Sequence, residues 1–307
     1  KQYKGDEKLH GKTTIVTGAN TGIGYEVAKE FAIRGAKVIL ACRDMEKCDK
    51  AREKIIEESF NKRVSTKHLD LASMKSIRKF AEEVNKEEKF LDILVNNAGV
   101  MSCPRILSED GFELQLGTNY LGHFLLTNLL LERMKSTGES KVINVTSVSH
   151  QKGVINFDDL NSDNNYDPKA AYDQSKLALV MFTQELAERL KDTKVKVYAV
   201  YPGLVNTGIN RYTSFGKSRI RQFLWKPFTW ASSAKPNLGA QTILYCALSP
   251  EVAEQSGQFY RNCQLSAPSE LSRDKAIAKR LWATSEVWTK LKDLNEVLPP
   301  KTSTSKS

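Results

Sequence analysis

Short apolar runs rich in Val, Ile and Leu alternate with longer stretches of helical periodicity over most of the chain. Strands are expected near 12–17 (KTTIVT), 37–41 (KVILA), 64–69 (VSTKHL), 91–95 (LDILV), 140–146 (SKVINVT) and 195–200 (VKVYAV), with helices between them. Several of these runs lack polar alternation, as strands do when helices cover both faces of their sheet. The order of elements predicts an α/β fold, a doubly wound parallel sheet with flanking helices and right-handed crossovers. No repeat, low-complexity core or linker divides the body, so residues 11–298 read as one domain after an N-terminal extension over 1–10. The stretch 299–307 (PPKTSTSKS) has the composition of a disordered tail.

The first strand runs into Thr17-Gly18-Ala19-Asn20-Thr21-Gly22-Ile23-Gly24, and a helical pattern follows from Tyr25 to Arg34. Glycines permit a tight turn and let backbone N–H groups approach a ligand, while a helix N-terminus favours an anion. Between strand and helix, the loop reads as the phosphate cradle of a dinucleotide on a single-domain Rossmann-type sheet.

A second feature is Ala171-Tyr172-Asp173-Gln174-Ser175-Lys176-Leu177-Ala178-Leu179. Positions 172 and 176 stack on one helix face, and the apolar run from Leu177 to Phe182 predicts burial, where a lysine needs a partner or a task. A tyrosine titrating near ~10 needs roughly 4 kcal/mol in favour of its phenolate to ionise at neutral pH. One positive charge at ~4 Å in an effective dielectric of ~20 supplies about that much. Spacing alone decides nothing, because Tyr25 and Lys29 share it. There Ile23, Val27, Ala28 and Phe31 take the sheet side, which leaves 25 and 29 solvated.

Composition narrows the chemistry. At 40% hydrophobic and 27% charged the chain is of the globular class, and no apolar run approaches the ~18 residues of a membrane span. A net charge of +10 admits nucleic acid, anionic lipid or a phosphorylated ligand. Lys and Arg are interleaved with acidic residues, however, as in DMEKCDKAREKIIEE (44–58), which reads as a solvated helix face; no nucleic-acid partner is expected. Five cysteines, at 42, 48, 103, 246 and 263, make an odd count without Cys-x-x-Cys. Reduced thiols in a reducing compartment are expected, rather than a disulfide framework or zinc site. The four histidines are scattered without His-Glu-x-x-His, so no metal is expected, and His150 reads as an incidental loop residue.

The chain resembles the short-chain dehydrogenase/reductase family. The resemblance rests on Thr-Gly-x-x-x-Gly-x-Gly at 17–24, then Asn96-Asn97-Ala98-Gly99, Asn119, Ser147, Tyr172 with Lys176, and Pro202-Gly203, across roughly residues 10–265. It implies a nicotinamide cofactor held by Gly18, Asn20, Thr21, Gly22, Ile23 and Gly24 at the pyrophosphate and by Asp70 and Leu71 near the adenine. Asn97, Ala98, Gly99, Tyr172, Lys176, Pro202, Gly203, Val205 and Thr207 complete the implied cofactor site. The implied catalytic set gives Tyr172 the proton exchange with the substrate oxygen. Lys176 lowers the tyrosine pKa and binds the nicotinamide ribose, Ser147 hydrogen-bonds the substrate oxygen, and Asn119 continues a proton relay through water.

Two cues conflict over the cofactor. Counting about 20 residues from the glycines leads to Asp44, which favours NAD. Alignment through Ala36-Lys37-Val38 puts the family's acidic position on Cys42, and Arg43 follows, which suits the 2′-phosphate of NADP. Asp44 then reads as a helix N-cap, and NADP(H) is the expected cofactor.

Within the family, GVINFDDL (153–160), LACRD (40–44), TNYLGHF (118–124), YCALSP (245–250) and AKRLW (278–282) resemble the retinol dehydrogenase group. This implies a lipophilic alcohol and aldehyde, retinol and retinal by preference. Steroid, terpenoid or xenobiotic carbonyls are the alternative substrates, and a non-catalytic NADP-binding regulator is the alternative outside enzymes. A substrate lid is expected about 204–235, where Tyr212, Phe215, Phe223, Trp225, Phe228 and Trp230 stand among Lys217, Arg219, Arg221 and Lys226. Aromatics with basic neighbours also suit a membrane interface. The group implies an anchor upstream of Lys1 and the cytosolic face of the endoplasmic reticulum membrane, with mitochondrial or cytoplasmic placement as alternatives. Homo-oligomers are compatible with this reading.

Overall fold

The computed structural model describes residues 2–203 and 236–292. Val205, Thr207, the expected lid and the tail lie outside them. The apolar runs form β1 (Thr13–Thr17), β2 (Lys37–Cys42), β3 (Val64–His68), β4 (Ile93–Asn96), β5 (Ser140–Val145) and β6 (Val195–Tyr201). Between them lie α1 (Gly22–Ile33), α2 (Met45–Ser59), α3 (Met74–Glu87), α4 (Gly122–Thr137) and α5 (Pro168–Arg189). Next come α6 (Pro236–Leu248), two strands the pattern did not foretell, β7 (Gln258–Arg261) and β8 (Gln264–Ser266), and α7 (Lys275–Trp288). At four and three residues, those strands are too short to show a period.

Among the described residues the strand order is β3-β2-β1-β4-β5-β6-β7-β8, all neighbours parallel except the antiparallel β7–β8 pair. Successive side chains enter different apolar layers. Ile15, Ile39, Leu94 and Val142 join α3, α4, α5 and α7, whereas Val16, Leu40, Val95 and Ile143 join α1, α2 and α6. Two-sided burial is therefore why the strand runs lack polar alternation. β2 and β3 extend to one side of β1 and β5 to β8 lie beyond β4, so the order reverses between β1 and β4 and opens a crevice at their carboxyl ends.

Burial of α5 is continuous from Ala171 to Thr183. The sheet takes one side and α7 part of the other: the Trp282 ring lies 4.9 Å from Phe124 and 5.7 Å from Phe182, with the Arg189 guanidinium 4.2 Å from it. Asp44, Ser73, Asp167 and Asp274 cap α2, α3, α5 and α7 by accepting from first-turn amides, each worth ~1 kcal/mol. Among the described residues no side chain caps α1.

Two expectations are corrected. Cys42, at the end of β2, and Cys48, in α2, are joined as a disulfide, their Cα atoms 6.1 Å apart. A whole-chain count of thiols does not register that a short strand-to-helix turn faces these two at each other. Tyr25 and Lys29 are half-buried rather than solvated, because α2 packs beside α1 and Lys29 pairs with Glu26 at 3.0 Å and Glu58 at 3.3 Å.

Candidate active site

A cavity of ≈ 660 Å³ occupies the crevice at the carboxyl ends of β1 to β6, within the usual range for a small-molecule or cofactor site. Gly18, Asn20, Thr21, Gly22 and Ile23 line one end. Gly18 has φ +66°, and a Cβ there would stand 3.0 Å from the Ala98 backbone. Gly24 is behind the wall: a Cβ on it would come within 2.5 Å of Asn97 Nδ2 and 2.6 Å of the Gly18 carbonyl. Its bareness lets α1 approach the loop. The uncapped first turn of α1 leaves N–H groups facing this end, which fits a pyrophosphate.

β1 is tied to β4 through Thr17. The N–H groups of Asn97 and Ala98 each donate to Thr17 Oγ1 at 2.9 Å, and Asn97 Nδ2 donates to the Thr17 carbonyl at 2.9 Å. Asn97, Ala98 and Gly99 thereby form one side of the cavity. At the end beyond β2, Arg43, Asp70 and Leu71 line it together with Asp44 and Lys47. The Asp44 carboxylate accepts from the Lys47 N–H at 3.1 Å and from its ammonium at 2.5 Å. Lys47 escaped the sequence reading, although its position three residues after the cap was visible. Asp70 Oδ1 accepts from the Ala72 N–H at 2.9 Å, so its carboxylate also shapes the turn before α3.

Ser147, Tyr172, Lys176, Pro202 and Gly203 meet at the other end, beside Val145, Thr146 and Tyr201. Ser147, the N-cap of the 3-10 turn Val148–Lys152, accepts from the Ser149 N–H at 3.2 Å, and only Ser147 of the two faces the cavity. Tyr172 is buried, and burial pushes its phenol up to about 12, while a hydrogen bond from Ser147 acts the other way. Lys176 Nζ donates to the Val145 carbonyl at 3.0 Å and lies 5.7 Å from the Tyr172 ring centre. Burial brings its ammonium down to about 8. Before cofactor binds, desolvation therefore outweighs the Ser147 hydrogen bond at the phenol.

Asn119 lies behind the cavity wall in the π-helical turn Leu116–Leu121, and its neighbour Thr118 lines the cavity instead. Its Oδ1 accepts from the Val100 N–H at 2.8 Å, and its Nδ2 donates to the Val100 carbonyl at 2.9 Å and to Ser175 Oγ at 3.0 Å. His150 needs correcting too. It is fully buried, its Nδ1–H donates to the Ser147 carbonyl at 2.6 Å, the Ser269 N–H donates to its Nε2 at 3.3 Å, and its ring lies 4.8 Å from Phe259. Both later partners are remote in sequence, so nothing local marked it.

A crevice at the point of strand reversal, with an anion cradle at one end and a buried acid–base pair at the other, defines a dinucleotide-binding protein equipped for proton transfer. Residues 12–217 match the family model for short chain dehydrogenases. The chain is 51% identical to mouse retinol dehydrogenase 13 over 278 residues, covering 90% of this chain and 83% of that protein. Human retinol dehydrogenase 12 is 47% identical over 279 residues, covering 91% and 86%. A solved structure of an uncharacterized protein from Mycobacterium paratuberculosis aligns with a TM-score of 0.75 at 35% identity, over 92% of this chain and 95% of that one. Salutaridine reductase from Papaver somniferum gives 0.62 at 25% identity, over 81% and 99%. The chain belongs to the short chain dehydrogenase family, in its retinol dehydrogenase group, and is an oxidoreductase that uses a nicotinamide cofactor.

Proposed function

We propose that the chain interconverts a lipophilic alcohol and its aldehyde, retinol and retinal first, with NADP(H). The observation that carries the reading is the buried Tyr172 phenol, hydrogen-bonded to Ser147 and set beside Lys176 in the cavity. In reduction, Tyr172 donates its proton to the substrate carbonyl oxygen while the Ser147 hydroxyl donates a hydrogen bond to that oxygen. Lys176 holds the nicotinamide ribose, and its charge favours phenolate when the alcohol is oxidised. The Asn119 carbonyl continues the proton path through water. Bound nicotinamide supplies or accepts the hydride.

NADP(H) is favoured because Arg43 stands at the adenosine end, where the carboxylate of Asp44 is already engaged by Lys47. Gly18, Asn20, Thr21, Gly22 and Ile23 hold the pyrophosphate, Gly24 lets α1 close on it, and Asp70 and Leu71 border the adenine. Support for a retinoid comes from the relatives' names. A reductase of steroid, terpenoid or xenobiotic carbonyls is the second reading, and the likeness to a protein named salutaridine reductase supports it. The deciding experiment follows NADPH oxidation with all-trans-retinal, short aldehydes and ketosteroids. Fastest turnover per KM on retinal is expected; preference for a ketosteroid overturns the substrate, and no turnover on any carbonyl overturns the reading.

The same reading places the enzyme at the cytosolic face of the endoplasmic reticulum membrane, where an apolar substrate concentrates. Among the described residues no helix is long and apolar enough to cross a membrane. Recovery of the full-length protein in a carbonate-washed membrane fraction tests the placement.

A further inference from the structure

His123 is fully buried in the first turn of α4, outside the cavity lining. Its Nδ1 lies 3.0 Å from the Asn119 carbonyl oxygen and its Nε2 3.0 Å from Thr17 Oγ1. A carbonyl can only accept, so Nδ1 carries the hydrogen. Burial pushes the imidazole down to about 4, so the ring is neutral at physiological pH and Nε2 is a bare acceptor. The Thr17 hydroxyl therefore donates to His123, while its lone pairs receive the Asn97 and Ala98 N–H groups. The alternative acceptor, the Val95 carbonyl, is more distant at 3.4 Å.

These bonds form a closed circuit. The segment 97–100 is held at one end by Thr17 and at the other by Asn119, which exchanges two hydrogen bonds with the Val100 backbone. Asn119 also donates to Ser175 Oγ, which donates to the Tyr172 carbonyl at 2.8 Å. His123 joins the two anchors of the segment. We propose that His123 is a positioning residue that locks the cofactor-lining segment 97–100 to the turn bearing Asn119, using its Nε2 for the cofactor side and its Nδ1–H for the catalytic side. The inference rests on the roles assigned above to Asn119 and Tyr172.

The two ring nitrogens can be replaced separately. In His123→Gln the side-chain carbonyl can reach the Nε2 position and accept from Thr17; in His123→Asn the amide N–H can stand near Nδ1 and donate to the Asn119 carbonyl. Steady-state kinetics, NADPH Kd and thermal melting are measured on the full chain for both, for His123→Leu, and for Thr17→Val with each. The Leu variant is expected to lose about 10²-fold in kcat/KM, the scale of a misplacement near 1 Å. The Gln variant should keep NADPH Kd within about threefold while kcat falls more than about tenfold, and the Asn variant should do the reverse. Thr17→Val also removes the acceptor of the Asn97 and Ala98 N–H groups, so it should weaken NADPH binding in every background, but by less in the Asn variant, where the bond to position 123 is already lost. Losses that follow melting temperature alone, with no Gln/Asn split, overturn the proposal, as does a folded Leu variant within twofold of the parent. Tyr172→Phe run in parallel separates the two levels: if it stays active the assigned mechanism has failed, whereas an inactive Phe variant beside unsplit His123 variants removes only this inference.

Discussion

Cofactor affinity should weaken as the buried lysine loses its proton. Before cofactor binds, Lys176 sits in the core of the site with its Nζ on the Val145 carbonyl, and burial brings its pKa down to about 8. Below that pH the ammonium can donate to the ribose; above it, the neutral amine offers a weaker donor and no charge. For a one-proton requirement with pKa about 8, NADPH Kd should rise about tenfold between pH 7 and pH 9. The rise should flatten once the charge-assisted bond is lost, a total of roughly 10- to 100-fold for a hydrogen bond worth about 1.5–3 kcal/mol. Lys176→Met removes the proton and should show the weaker affinity at every pH, with a flat profile from pH 7 to 9.5. Tryptophan fluorescence titration with NADPH at constant ionic strength measures both proteins, and the window lies above the titration of the 2′-phosphate, near ~6 as for other phosphate monoesters. A parent Kd that changes less than twofold between pH 7 and 9, or the same slope in Lys176→Met, would refute the assignment of the ribose contact to this ammonium.

Three substitutions test the rest of the cleft. Tyr172→Phe should lower kcat by about 10²–10⁴-fold, the range for loss of a general acid, with NADPH binding within about threefold; Tyr25→Phe, with the same spacing from a lysine, should retain full activity. Arg43→Ala should weaken NADPH about tenfold and leave NADH nearly unchanged, so equal losses by titration would remove the phosphate contact. Gly24→Ala forces its Cβ against the Gly18 carbonyl, a backbone atom, and should cost about 1–3 kcal/mol, read as a lower melting temperature together with weaker NADPH binding; an unchanged melt would show that α1 is not wedged against the loop.

What was legible in the sequence is what one element carries by itself. Five of the six expected strands were visible because each is covered on both faces, the half-buried edge strand β3 being the exception, and the pair at 172 and 176 because a single helix stacks the two and its following run is apolar enough to demand burial. The control at Tyr25 and Lys29 separated from it by the same criterion, although packing of α2 leaves that pair half-buried. The disulfide between Cys42 and Cys48 was missed for the opposite reason: its partners are near in sequence, but the inference drew on a total and not on the turn between them. Ser147, Tyr172 and Lys176 carried family marks, whereas Lys47 reached the cavity with none.

The histidines show where sequence reading stops. A tyrosine beside a lysine advertises chemistry by its own charge and acidity, but a neutral imidazole is defined by what its two nitrogens meet. For His123 one partner, Asn119, is a turn away on the same helical stretch, and the other, Thr17, is 106 residues away at the end of β1. For His150 the near partner is Ser147 and the far one, Ser269, is 119 residues on. In each case one nitrogen holds the carbonyl of an assigned catalytic residue, and the other takes a hydrogen from a segment that only the completed fold brings alongside. Burial pushes both imidazoles down while the bonds to the two carbonyls act the other way, and each ring serves as a strut only while it stays neutral with one nitrogen bare. Protonation would put a donor opposite the Ser269 N–H, leaving two hydrogens facing each other, so the contact between the Ser147 turn and the C-terminal segment depends on His150 remaining uncharged.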